Sequence, residues 1–363
     1  MIDMRREIVE KTIQTFIDPY LQQDWISAKA VKNIDIQSGK ITVDIVLGYP
    51  ALGVREVLQQ KLTKILQDKT TLKDVTVNIS WQIVSHQVQA GLHGLKGVKN
   101  IIAVGSGKGG VGKSTLSVNL ALALQAEGAK VGILDADIYG PSQPQMLGSY
   151  AAPESKDQKS IEPVIRHGLQ SMSIGYLVDS TQAMIWRGPM VSGALQQLLN
   201  DTQWQDLDYL IIDLPPGTGD IQLTLSQKVP VSAAVVVTTP QDLSLLDARR
   251  AVAMFRKVNI PVLGIVENMS IYHCPNCGHS EAVFGSGGGA KMAAEYQLDL
   301  LGQLPLDARI REQTDQGTPP VAVNPGSDIA KLYREIARKV AGKLSLRTKN
   351  FNSRFPKIVI ENN

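Results

Sequence analysis

The sequence predicts an α/β chain, a mostly parallel sheet flanked by helices, with a small α+β domain in front of it. Three observations predict this. KVGILDAD, LDYLIIDLPP, SAAVVVTTP and IPVLGIVENMS are short, almost continuously apolar runs, as in parallel strands buried on both faces. Segments able to form helices separate them. The first ~90 residues instead alternate apolar and polar positions, the mark of strands with one solvated face.

The elements follow in order. Residues 4–17 carry Ile8, Val9, Ile13, Phe16 and Ile17 at helical spacing, and Pro19 stops the run. VKNIDI and KITVDIVL are strands joined at Ser38-Gly39, a hairpin signal. A helix follows with Val54, Val57, Leu58, Leu62 and Ile65 on one face. Val75, Val77, Ile79, Trp81 and Ile83 alternate strictly and close the unit at about residue 90. Residues 91–99 read as a glycine-bearing linker, 100–345 as the α/β domain and 346–363 as a tail. Within the second domain, 150–163 and FGSGGGA (284–290) are expected to be loose loops. Residues 328–344 are an amphipathic helix with Ile329, Leu332, Tyr333, Ile336 and Val340 inward and Lys331, Arg334, Arg338 and Lys339 on a solvated face.

Composition narrows the functional classes. With 363 residues and 43% apolar content, two folded cores are expected. A net charge of +3 is too small to argue for nucleic acid or an anionic membrane as partner, and neither is expected. No apolar run reaches the ~20 residues of a membrane span, and the N-terminus lacks a secretory h-region. A cytoplasmic protein is expected. The two cysteines, Cys274 and Cys277, are two residues apart, which suits metal or redox chemistry rather than a disulfide framework.

The strongest motif is GSGKGGVGKST (105–115), in which Gly107, Gly112, Lys113 and Ser114 satisfy the phosphate-cradle pattern G-x-x-x-x-G-K-[ST]. An apolar strand precedes it and a helix follows, the context this P-loop requires. Backbone N–H groups from Gly107 to Thr115, through Lys108, Gly109, Gly110 and Val111, would surround phosphate oxygens at a helix N-terminus. Lys113 would reach the β- and γ-phosphates of a bound nucleotide, and Ser114 would bind Mg2+. Asp213 ends the run LDYLII and is placed to hold Mg2+ through water, with the mobile-looking PPGTG behind it. Asp135 and Asp137 end another strand, where a carboxylate can orient the attacking water or the metal, or simply cap the next helix.

YHCPNCGH (272–279) holds half of a four-thiolate site. A zinc site wants four Cys or His ligands, and His273 and His279 are poorly spaced to complete one. A cubane cluster usually takes four thiolates, which a two-fold homodimer supplies by meeting itself across its axis. A redox pair and two inert thiols also remain open.

The chain resembles a known group at these motifs. KGGVGKS has a lysine directly after its first glycine, the deviant P-loop of the MinD/ParA/nitrogenase-iron-protein class. DADIYGPSQPQMLG (135–148), IWRGPM (185–190), DLPPGTGD (213–220), TTPQDLSLLDARR (238–250), VENMSIYHCPNCGH (266–279) and FGSGGG (284–289) resemble the Mrp/ApbC-type iron–sulfur cluster carriers. Residues 1–90 resemble the MIP18 (DUF59) domain. LGYPALG (47–53) sits where that domain often has a cysteine before a proline; Tyr49 stands there instead, which argues against cluster handling by this domain.

The resemblance implies a catalytic set of Lys108, Lys113, Asp137 and Asp213, with Lys108 reaching the partner subunit's nucleotide and Asp137 positioning the hydrolytic water. It implies that Asn268 hydrogen-bonds adenine and that Cys274 and Cys277 share a [4Fe–4S] cluster across a homodimer. The implied activity is ATP hydrolysis coupled to cluster transfer to apo iron–sulfur proteins, in contact with a cluster-assembly scaffold. The alternatives are a MinD/ParA-like spatial-regulator ATPase and a zinc-binding P-loop ATPase.

Overall fold

The computed structural model describes residues 2–37, 39–70, 72–157, 159–178 and 188–349. Trp186 and Arg187, and the tail beyond Lys349, lie outside the described residues.

The N-terminal unit begins with α1 (Ile2–Thr15). β1 (Val31–Gln37) pairs antiparallel with β2 (Lys40–Leu47), α2 (Arg55–Thr70) crosses over, and β3 (Asp74–Trp81) returns parallel to β2. The alternation reads directly as burial, since Ile41, Val43 and Ile45 of β2 and Val75, Val77 and Ile79 of β3 face the helices. Two details differ from the periodicity. Val57 is 51% exposed and Leu66 is fully buried in its place, because α2 presents Leu58, Leu62 and Leu66 to the sheet. Ile8 and Ile17 also face solvent.

The second unit is built on an eight-stranded sheet. Its strands are β4 (Val98–Ser106), β5 (Val131–Asp135), β6 (Val164–Arg166), β7 (Leu169–Ser173), β8 (Leu207–Asp213), β9 (Ala233–Thr238) and β10 (Val262–Glu267). After the hairpin β11 (Tyr272–His273) and β12 (Ser280–Glu281) comes the last strand, β13 (Asp299–Gln303). The spatial order is β13-β10-β9-β4-β8-β5-β7-β6. All neighbours are parallel except the edge pair β6–β7. Every residue of β5, β8 and β9 is buried, as expected of strands covered by helices on both faces.

The helices that position the site are α3 (Lys113–Ala126), α4 (Gln143–Leu147), α5 (Gly188–Asp201), α6 (Asp220–Lys228) and α7 (Asp242–Lys257). The chain finishes with α8 (Gly288–Glu295), α9 (Ala308–Asp315), α10 (Pro320–Val323) and α11 (Asp328–Ser345).

Two expectations are corrected. FGSGGGA is not wholly a loose loop: Gly288 opens α8, and the Gly289 N–H donates to the buried Glu267 carboxylate at 2.5 Å. On α11, Arg334 and Arg338 do not lie on the solvated face. Arg338 is only 8% exposed, and both arginines turn inward onto Glu127.

Candidate nucleotide site and cysteine hairpin

Sheet register builds the nucleotide end. β8 lies between β4 and β5, and Asp213 is level with Val104 on one side and Asp135 on the other. The P-loop leaves β4 and turns into α3 beside these carboxylates. Gly112 caps α3 in the left-handed region, at φ 84°. That backbone conformation favours glycine, and a β-carbon there would also displace the Asn268 amide.

Lys113 is 6% exposed and its ammonium lies 2.6 Å from Asp213 Oδ1 and 3.1 Å from Ser114 Oγ. Ser117, one turn along α3, donates to the same Asp213 oxygen at 2.8 Å. Gln143 of α4 donates to Asp213 Oδ2 at 3.0 Å and to the Ser114 carbonyl at 3.2 Å. Asp135 accepts from the Ser142 and Gln143 N–H groups and from Ser173 Oγ through Oδ2, and from the Asp137 N–H through Oδ1.

Burial, and then the neighbouring Asp213 charge, push the Asp135 carboxyl up to about 7. Asp137 is raised as well, by burial first; the Lys113 charge opposes the shift and Asp213 adds to it. The Asp137 carboxylate accepts from the Gly140 N–H at 3.3 Å. Lys108 is half-buried at the loop's mouth and has no acidic partner in an ion pair among the described residues. Asn268 donates its amide to the Val111 carbonyl at 2.9 Å, so it braces the P-loop.

Lys113, Ser114, Asp135, Asp137 and Asp213, expected together from their motifs, gather at this end of the sheet. Ser117, Gln143 and Ser173 join them without being expected from the motifs. Ser117 is legible as the residue one helical turn beyond Lys113; Gln143 lies inside the 135–148 motif but nothing local points it at Asp213, and Ser173 carries no local signal. These oxygen donors fit Mg2+: Ser114 Oγ and the Asp213 carboxylate are hard ligands, and the buried Gln143 Oε1 has no protein partner.

The cysteine pair follows Asn268 on one continuous stretch. The Ser270 N–H donates to the Leu304 carbonyl, and Tyr272 pairs with Leu306. Cys274 and Cys277 are free thiols at the tip of the β11–β12 hairpin, the first half-buried and the second exposed. The turn is closed by Cys274 N–H to the His279 carbonyl and Gly278 N–H to the Cys274 carbonyl. Backbone N–H groups of Cys277 and Asn276 aimed at the Cys274 sulfur, together with the Cys277 side chain, draw its thiol below the ordinary range. His273 is engaged with Ser280 Oγ at 2.7 Å. Among the described residues no three His, Cys, Asp or Glu side chains gather into a metal set. Cys274 also borders a cleft of about 980 Å3 with apolar walls at Ile271, Pro305, Leu306 and Leu332.

A parallel sheet with a glycine loop feeding Lys113 and Ser114 toward a strand-end aspartate defines a P-loop nucleotide-hydrolase. Comparison with known proteins narrows the class. Residues 97–341 match the family described as NUBPL iron-transfer P-loop NTPases, and residues 6–79 match a family of iron–sulfur cluster assembly proteins. This chain belongs to the NUBPL iron-transfer P-loop NTPase family. It is 50% identical to an iron–sulfur cluster carrier protein of Salmonella typhimurium, over 94% of this chain and 93% of that one. It is also 50% identical to the mouse iron–sulfur cluster transfer protein NUBPL, over 69% of this chain and 79% of the relative. Among solved structures, a nucleotide-binding protein from Archaeoglobus fulgidus in complex with ADP superposes with a TM-score of 0.57 at 37% identity, covering 65% of this chain and 92% of that one.

Proposed function

We propose that this chain is an ATP-dependent carrier of [4Fe–4S] clusters. Cys274 and Cys277 of two copies hold the cluster between them, and the carrier passes it to apo iron–sulfur proteins after receiving it from an assembly scaffold. The observation that supports this best is the hairpin itself: two accessible thiols, no third ligand beside them among the described residues, and, upstream on the same stretch, Asn268 hydrogen-bonded to the P-loop. A homodimer supplies four thiolates. Exposed Tyr139, Leu243 and Leu246, beside the nucleotide end, offer apolar surface for such a contact.

The residues imply the following course. An incoming γ-phosphate draws Lys113 away from Asp213, and the N–H groups of the P-loop close on the phosphates. Ser114 and Asp213 would hold Mg2+, which supplies charge neutralisation to the phosphates when bound. Asp137 orients the attacking water and takes its proton, a task suited to a raised carboxyl. Lys108 stabilises charge on the partner's nucleotide, and Asn268 contacts adenine once it leaves the Val111 carbonyl. Since Asn268 braces the P-loop and leads into the hairpin, nucleotide state changes the grip of the thiolates. Among the described residues no helix is long and apolar enough to cross a membrane, and a cytoplasmic site of action is proposed.

Anaerobic reconstitution with iron and sulfide tests the reading. It expects about four irons per dimer, lost in Cys274→Ser or Cys277→Ser. Stoichiometric zinc with no visible absorbance would sink it.

A further inference from the structure

Glu127 is the first residue beyond α3, the helix that starts at the phosphate cradle. It is 0% exposed. A carboxylate at a helix C-terminus opposes the helix dipole, so local helix stability does not explain it. Its partners come from two other parts of the chain. From α11, Arg334 Nε donates to Oε1 at 2.8 Å and Arg338 Nη1 at 2.6 Å. From the loop after β2, the Gly53 N–H donates to Oε2 at 2.9 Å and the Leu52 N–H donates to the Glu127 carbonyl at 3.0 Å.

The contact is closely fitted. A β-carbon on Gly53 would collide with the Arg334 guanidinium. Arg338 also stacks over the Tyr20 ring at 5.1 Å and pairs with Glu335, which accepts from the Tyr20 hydroxyl at 3.2 Å. One carboxylate therefore ties α3 to α11 and to the N-terminal domain at once. α3 runs about 21 Å from Lys113 to this clamp. Helices move as rigid bodies, so a shift at one end is carried to the other.

We infer that Glu127 is a positioning residue: it sets the seat of α3, and hence of Lys113 and Ser114, against the 48–53 loop of the N-terminal domain. The N-terminal domain thereby reads nucleotide state and biases nucleotide affinity in return, since such coupling is reciprocal. This rests on the proposed nucleotide site. It gives the N-terminal domain a role that needs no cysteine at position 49.

Hydrogen exchange of the full-length protein, with and without Mg·ATP, tests it. Wild type should change exchange at residues 50–54 by about threefold or more, beyond any change in α2 of the same domain. Glu127→Gln should abolish that change while keeping P-loop protection, and raise KM for ATP by about threefold to tenfold with kcat altered less than about twofold. Glu127→Asp should recover part of both. The wild-type measurement needs no variant to fold. Unchanged exchange at 50–54 in protein that demonstrably binds ATP overturns the inference. Failure of wild type to bind a fluorescent ADP analogue would instead overturn the nucleotide site.

Discussion

Lys113 Nζ lies 2.6 Å from Asp213 Oδ1, and both side chains are withdrawn from water, 6% and 0% exposed. The P-loop lysine and the strand-end aspartate thus form a buried ion pair.

Lys113→Met leaves Asp213 buried beside Asp135 with no cation. The expected outcome is loss of ATP turnover together with a stability loss of roughly 3–5 kcal/mol, measured by urea denaturation. The double variant Lys113→Met with Asp213→Leu should regain much of that stability and none of the activity. Unchanged hydrolysis in Lys113→Met would contradict the assignment.

Asp135 gives the protein a distinct pH dependence. Its carboxyl titrates near 7 in the fold and near ~3.9 when unfolded, so the folded state binds the extra proton between these values. Stability from this group therefore falls as pH rises from about 4 to about 7 and is flat above. Asp135→Asn removes this dependence. Urea midpoints from pH 5 to 8 should fall in wild type relative to the variant; parallel curves would refute the argument.

Cys274 should alkylate as a thiolate at a lower pH than a free cysteine does, because the N–H groups of Cys277 and Asn276 stabilise its anion. Iodoacetamide modification of Cys277→Ser, followed by mass spectrometry across pH 6 to 10, reads this directly. A half-maximal rate reached only at or above the pH at which a cysteine peptide reaches its own would be the contrary result.

Tyr49 is fully buried and donates to Asp18 Oδ2 at 2.7 Å, alongside Trp25 Nε1 at 2.7 Å. The Tyr20 and Leu21 N–H groups complete the carboxylate through Oδ1. Tyr49→Phe should cost roughly 1–3 kcal/mol in denaturant unfolding without altering iron content after reconstitution. A loss of iron in this variant would give the N-terminal domain a part in holding the cluster.

The legible features were local. Apolar runs named the strands, and the P-loop and cysteine hairpin each lie within a dozen residues, so spacing alone carries their chemistry. What stayed hidden depended on distant partners. Arg334 and Arg338 looked solvated because α11 is amphipathic by composition; Glu127, more than 200 residues away, turns them inward. The FGSGGGA run looked loose because glycine lowers helix propensity, yet Glu267 anchors its helical part. Gln143 sat inside a motif noticed as a whole, and only the fold shows it reaching Asp213.

By itself the sequence determined that the chain has a phosphate cradle at 105–115, a strand-end aspartate at 213 and half of a thiolate site at 274 and 277. Those are consequences of residue type at short range. The tertiary structure decided that Asp213 stands level with Asp135, that Lys113 is claimed by Asp213, and that α3 ends on the N-terminal domain. The physical reason is register and strand order. Parallel neighbours bring charges about 80 residues apart to adjacent positions out of water, where their pairing and protonation follow from one another's fields.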